Sequence, residues 1–123
     1  TSALWVEEQL AADRDIILEI DWQGAQQVRR LVPDTRAIFI APPSRAALEE
    51  RLNSRGQDDA NTIATRMSQA VEEMSHYVES DYLVINEVFD RALAELRAIV
   101  MAERQHTARQ EAIHGQLLQE LLS

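Results

Sequence analysis

Glu19 and Asp21 stand two residues apart in the run Ile16-Ile17-Leu18-Glu19-Ile20-Asp21. If that run is a strand, both carboxylates share one face near its C-terminal end. Open α/β sheets bind ligands beyond that end of their strands. Acids placed there hold Mg²⁺ indirectly or accept hydrogen bonds from a substrate. The plainer alternative is that one acid is solvated and the other caps the next helix. A second set is arginine. Arg51 and Arg55 are four apart and face the same way on a helix, and Arg66 follows the polar turn Gly56-Gln57-Asp58-Asp59. Planar, permanently charged guanidinium groups converging from two short helices can grip a transferring phosphoryl group. The alternative is an ordinary solvated face, pairing with Glu49, Glu50 or Glu72. The histidines promise less. His76 lies near a helix end beside Tyr77, while His106 and His114 sit in a polar tail. There is no HxxxH pattern, no His/Glu pair is expected at ligand spacing, and no direct metal site is expected.

Composition narrows the classes. The 123 residues carry 12 basic and 21 acidic side chains, for a net charge of −9, and all the basic ones are arginine. Without lysine there is no Schiff-base chemistry and no P-loop lysine in this chain. Three glycines leave no Gly-rich phosphate loop, and zero cysteines remove disulfides and thiol chemistry. The acidic balance argues against a nucleic-acid partner, which needs a basic face. No apolar run approaches the ~20 residues of a membrane span, so no membrane partner is expected. A cytoplasmic location fits the cysteine usage. An apolar share of 46% suits one domain that buries a core.

The elements that must position these side chains alternate. Three apolar runs, Ile16–Asp21, Ala37–Ala41 and Tyr82–Asn86, read as strands buried on both faces, and Pro42-Pro43 ends the second. Helical spacing fills the gaps. It runs through residues 2–13 and from Trp22 to Leu31. Another helix follows Ser44 as N-cap, with Gly56 as a stop. From Asp59 a stripe of Ile63, Met67, Ala70, Val71, Met74 and Val78 continues, and a further helix carries Phe89, Leu93, Leu96 and Val100. Strands alternating with helices predict βαβ units, an α/β class with a mostly parallel sheet. A final stripe of Ile113, Leu117, Leu118, Leu121 and Leu122 needs a cover.

Taken together the segments resemble bacterial guanylate kinase. The resemblance is carried by Ile17 to Arg29 (ILEIDWQGAQQVR), by Ile38 to Ser44, and by Arg51-Leu52 with Arg55-Gly56. Arg66-Met67, Met74-Ser75-His76-Tyr77, Asp81 to Asn86 and Phe89 to Leu93 extend it, collinear over about residues 1–107. It implies part of a P-loop kinase fold, α/β with flanking helices and a helical lid. The implied activity is phosphoryl transfer from ATP to GMP, with Mg²⁺ accompanying the ATP. By the same resemblance Thr1 and Asp21 contact the guanine of GMP. Glu19 lies near Mg²⁺ and the phosphates, Arg51, Arg55 and Arg66 are lid arginines, and Asn86 is near the adenine of ATP. Position 19 is usually Asp in that family, and Asn86-Glu87 replaces the usual Asn-Asp.

The resemblance divides the chain into four parts. Residues 1–43 end a GMP-binding region and carry core strands, and 44–80 form the lid region. Residues 81–107 supply a core strand and helix, and 108–123 a helical tail. With no phosphate loop, this chain alone is expected to be inactive. Its uncovered apolar faces predict a homo-oligomer. Two other readings compete. One is a guanylate-kinase-like binding module that has lost catalysis, against which the three arginines weigh. The other is a receiver-like signalling domain, which usually needs a strand-end lysine.

Overall fold

Leu4, Val6 and Leu10 recur at helical spacing, and Ala3–Ala11 form helix α1. The computed structural model describes residues 3–53 and 59–123. The chain falls into two units, residues 1–35 and residues 36–123. In the first, α1 ends with Asp13 at φ 60°. The Arg14 N–H reaches back to the Gln9 carbonyl at 3.1 Å and the Asp13 N–H to the Leu10 carbonyl at 3.1 Å. This double closure satisfies carbonyls that the helix end would otherwise leave bare, and it needs a left-handed residue at Asp13. Helix α2 (Trp22–Leu31) starts at Asp21, whose Oδ1 accepts the Gly24 N–H at 2.8 Å.

The strand expected over Ile16–Asp21 does not form, and this stretch has no regular structure. Its apolar side chains are unevenly covered. Ile17 and Ile20 are exposed, while Ile16 and Leu18 are half-buried. A strand exists through its ladder to a neighbour, and among the described residues nothing pairs with this segment.

The second unit is built on a parallel pair, β1 (Ile38–Ala41) and β2 (Tyr82–Ile85), with Ile38 opposite Tyr82 and Ala41 opposite Ile85. The Ala37 N–H donates to Asp81 Oδ2 at 2.8 Å and opens the ladder. The Asn86 N–H, donating to the Ala41 carbonyl at 2.8 Å, closes it. Pro42 has no N–H with which to continue. Parallel strands need a crossover. Helices α3 (Arg45–Asn53) and α4 (Ala60–Ser75) supply it, packed on each other, followed by a 3₁₀ turn at His76–Glu79. Ser44 Oγ caps α3 through the Ala47 N–H at 3.0 Å, and Asp59 caps α4 through the Thr62 N–H at 2.8 Å. The Ser44 cap stands where the sequence places it, and Asp59 opens the helix expected to start there.

Helix α5 (Phe89–Arg104) follows β2 and packs against it, and α6 (Thr107–Leu122) is kinked at His114. Tyr82 and Val84 share the sheet face that α5 addresses. The Tyr82 hydroxyl donates to Glu103 Oε1 at 2.6 Å, and Arg36 Nε lies 3.3 Å from the same oxygen. The three side chains tie both strand beginnings to α5. Among the described residues the buried core is Met67 of α4, Val84 of β2 and Ala92 of α5. The sheet is therefore parallel, as the sequence predicts, with helices flanking a thin core.

Candidate functional site

Asp21 takes the capping role that its place before α2 allows. One carboxylate oxygen is engaged with the Gly24 N–H, and the side chain is exposed. Glu19 is exposed as well, in the irregular stretch before it. A Cβ on Gly24 would come within 3.2 Å of Asp21 Oδ1 and 3.2 Å of Ile20 Cβ, so glycine lets the carboxylate sit close to the helix end. The Asp-x-x-Gly spacing carried that signal, but the sequence reading did not single out Gly24.

In the second unit the parallel register puts the C-terminal ends of β1 and β2 side by side. Half-buried Asn86 leaves β2 there, and Pro42-Pro43-Ser44 leaves β1. An open apolar cavity of about 500 Å³ lies against the adjoining sheet face, lined by Phe39, Ala41, Pro42, Met74, Tyr77 and Leu83.

The arginines sit where α3 gives way to α4. Arg51 is in the last turn of α3, and Arg66 is two turns into α4. Thr62, Thr65, Arg66 and Gln69 fall on one side of α4 and, with Asp59 and Asn61, line an open groove of about 360 Å³. The groove thus offers one guanidinium, two hydroxyls, two amides and a carboxylate. The Thr62 backbone N–H bonded to the Asp59 carboxylate, helped by the Thr62 hydroxyl, holds its pKa below the ordinary 3.8. Thr1 and Arg55, like the Gly56 stop, lie outside the described residues.

The expectation about histidines needs correction. Glu72 and His76 are four apart and His76 and Glu79 three apart, and the helix and its 3₁₀ extension bring them together. His76 Nε2 is 3.4 Å from Glu72 Oε1, and His76 Nδ1 bonds Glu79 Oε2. Desolvation pulls the imidazole pKa down, but the bonds to Glu79 and then Glu72 outweigh it and raise it above 6.5. The i, i+4 and i, i+3 spacings were the available signal.

Among the described residues no three metal-ligating side chains are grouped in a way that could hold a metal ion. Glu19 is an exposed carboxylate, a group that can share an ion with other oxygen ligands and water.

The guanylate kinase family model matches residues 1–103. The chain belongs to the guanylate kinase family. It is 55% identical over 123 residues to the guanylate kinase of Saccharophagus degradans, covering all of this chain and 60% of that protein. With the guanylate kinase of Hydrogenovibrio crunogenus it shares 55% over 121 residues, 98% of this chain and 59% of that one. With that of Escherichia coli K12 it shares 51% over 123 residues, all of this chain and 59% of that one. The chain thus spans about 60% of the length of these curated relatives. Guanylate kinase membership implies a P-loop kinase fold, with which the parallel pair and its helical crossover agree. Among the described residues no helix is long and apolar enough to cross a membrane.

Proposed function

We propose that the whole protein of which this sequence forms part transfers a phosphoryl group from ATP to GMP, and that this chain carries its lid arginines and part of its nucleotide-binding edge. The observation that carries the reading is a family match over residues 1–103, a span that includes every candidate position. In this reading Asp21, with Thr1, accepts from the guanine of GMP through the carboxylate oxygen left over from helix capping. Asn86, leaving β2 at the strand-end edge, meets the adenine of ATP. Arg51, Arg55 and Arg66 bring fixed positive charge to the phosphates. Such charge does most where it meets negative charge developing in the transition state. Mg²⁺, when bound with ATP, neutralises phosphate charge, and Glu19 would hold it through the surrounding water. The homo-oligomer and the cytoplasmic location belong to the same proposal.

The test is steady-state kinetics on full-length protein. Arg66→Ala should lower kcat by roughly 10³-fold, far more than it raises the GMP KM. Arg45→Ala removes an exposed guanidinium 3.6 Å from Glu49 on the same surface of α3 and should change little. If both variants behave alike, the arginines are a solvated face and the lid reading is wrong. The 123-residue chain alone should give no turnover above a no-enzyme control in a coupled ADP-release assay.

A further inference from the structure

We infer that His76 is a positioning residue, a doubly protonated pin that fastens the C-terminal end of α4 to the 3₁₀ turn leading into β2. The argument starts from the ring. Nδ1 faces the Glu79 carboxylate and Nε2 faces the Glu72 carboxylate at 3.4 Å. A neutral imidazole has one N–H and one lone pair, so one carboxylate would meet a lone pair. Only the imidazolium donates from both nitrogens. The backbone points the same way. His76 is the C-cap of α4, where the helix dipole favours a cation. Glu72 lies one turn back on α4 and Glu79 ends the 3₁₀ turn, so the ring bridges two elements across the corner.

Other charged groups lie around the same corner. Glu73 adds a second acid on α4. Asp81, after the turn, receives the Ala37 N–H at the ladder's start. Arg45 reaches the neighbouring cavity from α3, and its guanidinium pairs with Glu49 at 3.6 Å. The corner therefore holds several acids, with His76 bridging two of them. Ser75 and Tyr77, on either side of His76, line that same cavity. Deprotonation would loosen the corner on the helix that carries Arg66 ten residues, or about 15 Å, away. The effect on turnover rests on the kinase reading; the protonation state of the ring does not.

Two measurements test this. The first is an NMR titration of the ¹⁵N-histidine-labelled full-length protein, with the His76 signals assigned through His76→Gln. His76 should carry protons on both nitrogens below its midpoint, and the midpoint should lie above 6.5. Glu79→Gln should lower the midpoint, and Glu72→Gln should lower it less. A midpoint at or below 6.5, or one that Glu79→Gln leaves in place, overturns the pin. The second is the pH profile of full-length enzyme. Wild-type kcat should fall as pH rises through the His76 midpoint. His76→Gln should remove that step and lower kcat about threefold or more at pH 6.5, with the GMP KM unchanged. A normal Arg66→Ala loss beside an unaltered His76→Gln profile defeats the positioning role. An inert Arg66→Ala defeats the kinase reading instead and leaves the ring titration to stand or fall separately.

Discussion

At the scale of single residues, Asp21 has two tasks that substitution can separate. Asparagine caps a helix as well as aspartate, so Asp21→Asn should leave the melting temperature nearly unchanged while removing the charge proposed for guanine. The GMP KM should then rise roughly tenfold or more, the range for a lost charge-assisted hydrogen bond. Asp21→Ala should cost both stability and affinity. Equal KM values for wild type and Asp21→Asn would reduce Asp21 to a cap. Gly24→Ala acts on the same carboxylate from beneath. Its methyl group would lie 3.2 Å from Asp21 Oδ1, so it should raise the GMP KM without touching any proposed contact atom. The sequence already offered both readings of Asp21, because its type and its place before α2 suit either. The Glu72 half of the His76 bridge was legible as an i, i+4 spacing, but the Glu79 half depends on the helix tightening into a 3₁₀ turn at His76. The signs of the two titrations differ. The folded pKa of His76 is raised, so its contribution to stability is complete below pH 6.5 and fades as pH climbs through the folded value. The folded pKa of Asp59 is lowered, so its cap contributes fully above the ordinary 3.8 and fails as pH falls through the lower folded value.

At the scale of elements, the end of α1 is the place to gain stability. Asp13 holds a left-handed conformation that glycine adopts at no steric cost. Asp13→Gly should stabilise the chain by about 0.5–1 kcal/mol, read as a higher urea midpoint at unchanged slope. A lower midpoint would mean that the Asp13 side chain contributes more than its backbone costs. Helix starts were the most legible feature of the sequence, because a cap is local chemistry: Asp21 and Ser44, both readable as caps, each bond an N–H three residues ahead, and Asp59 does the same where the α4 stripe begins. The strand read into Ile16–Asp21 shows the opposite limit. A near-continuous, β-branched apolar run describes a segment ready to pair, but the partner is a property of some other part of the chain. Ile38–Ala41 and Tyr82–Ile85 look no different as sequence, and they form strands because they have each other.

At the scale of the whole molecule, the balance of buried and exposed apolar surface drives the expectation of self-association. Ile113, Leu117, Leu121 and Leu122 are half or more exposed along α6, and Leu83 and Ile85 are nearly so on β2. Faces of this kind on a folded chain seek cover. Light scattering should therefore report an oligomer, and Leu117→Glu with Leu121→Glu should shift it towards smaller species. A monomer at every concentration would show that these faces tolerate water. Of the candidate residues, Glu19 and Asp21 belong to one unit, and Arg51, Arg66 and Asn86 to the other. The β1–β2 ladder has a further consequence, for synthesis. Its first rung joins Ala37 to Asp81, 44 residues later in the chain. At ribosomal rates of about 5–20 residues per second, β1 waits roughly 2–9 s for its partner to be made. During that time the edge of β1 that will meet β2 stands open, and the crossover helices, which need only local contacts, can form first. Pro42, which has no N–H, bounds the length of that waiting edge.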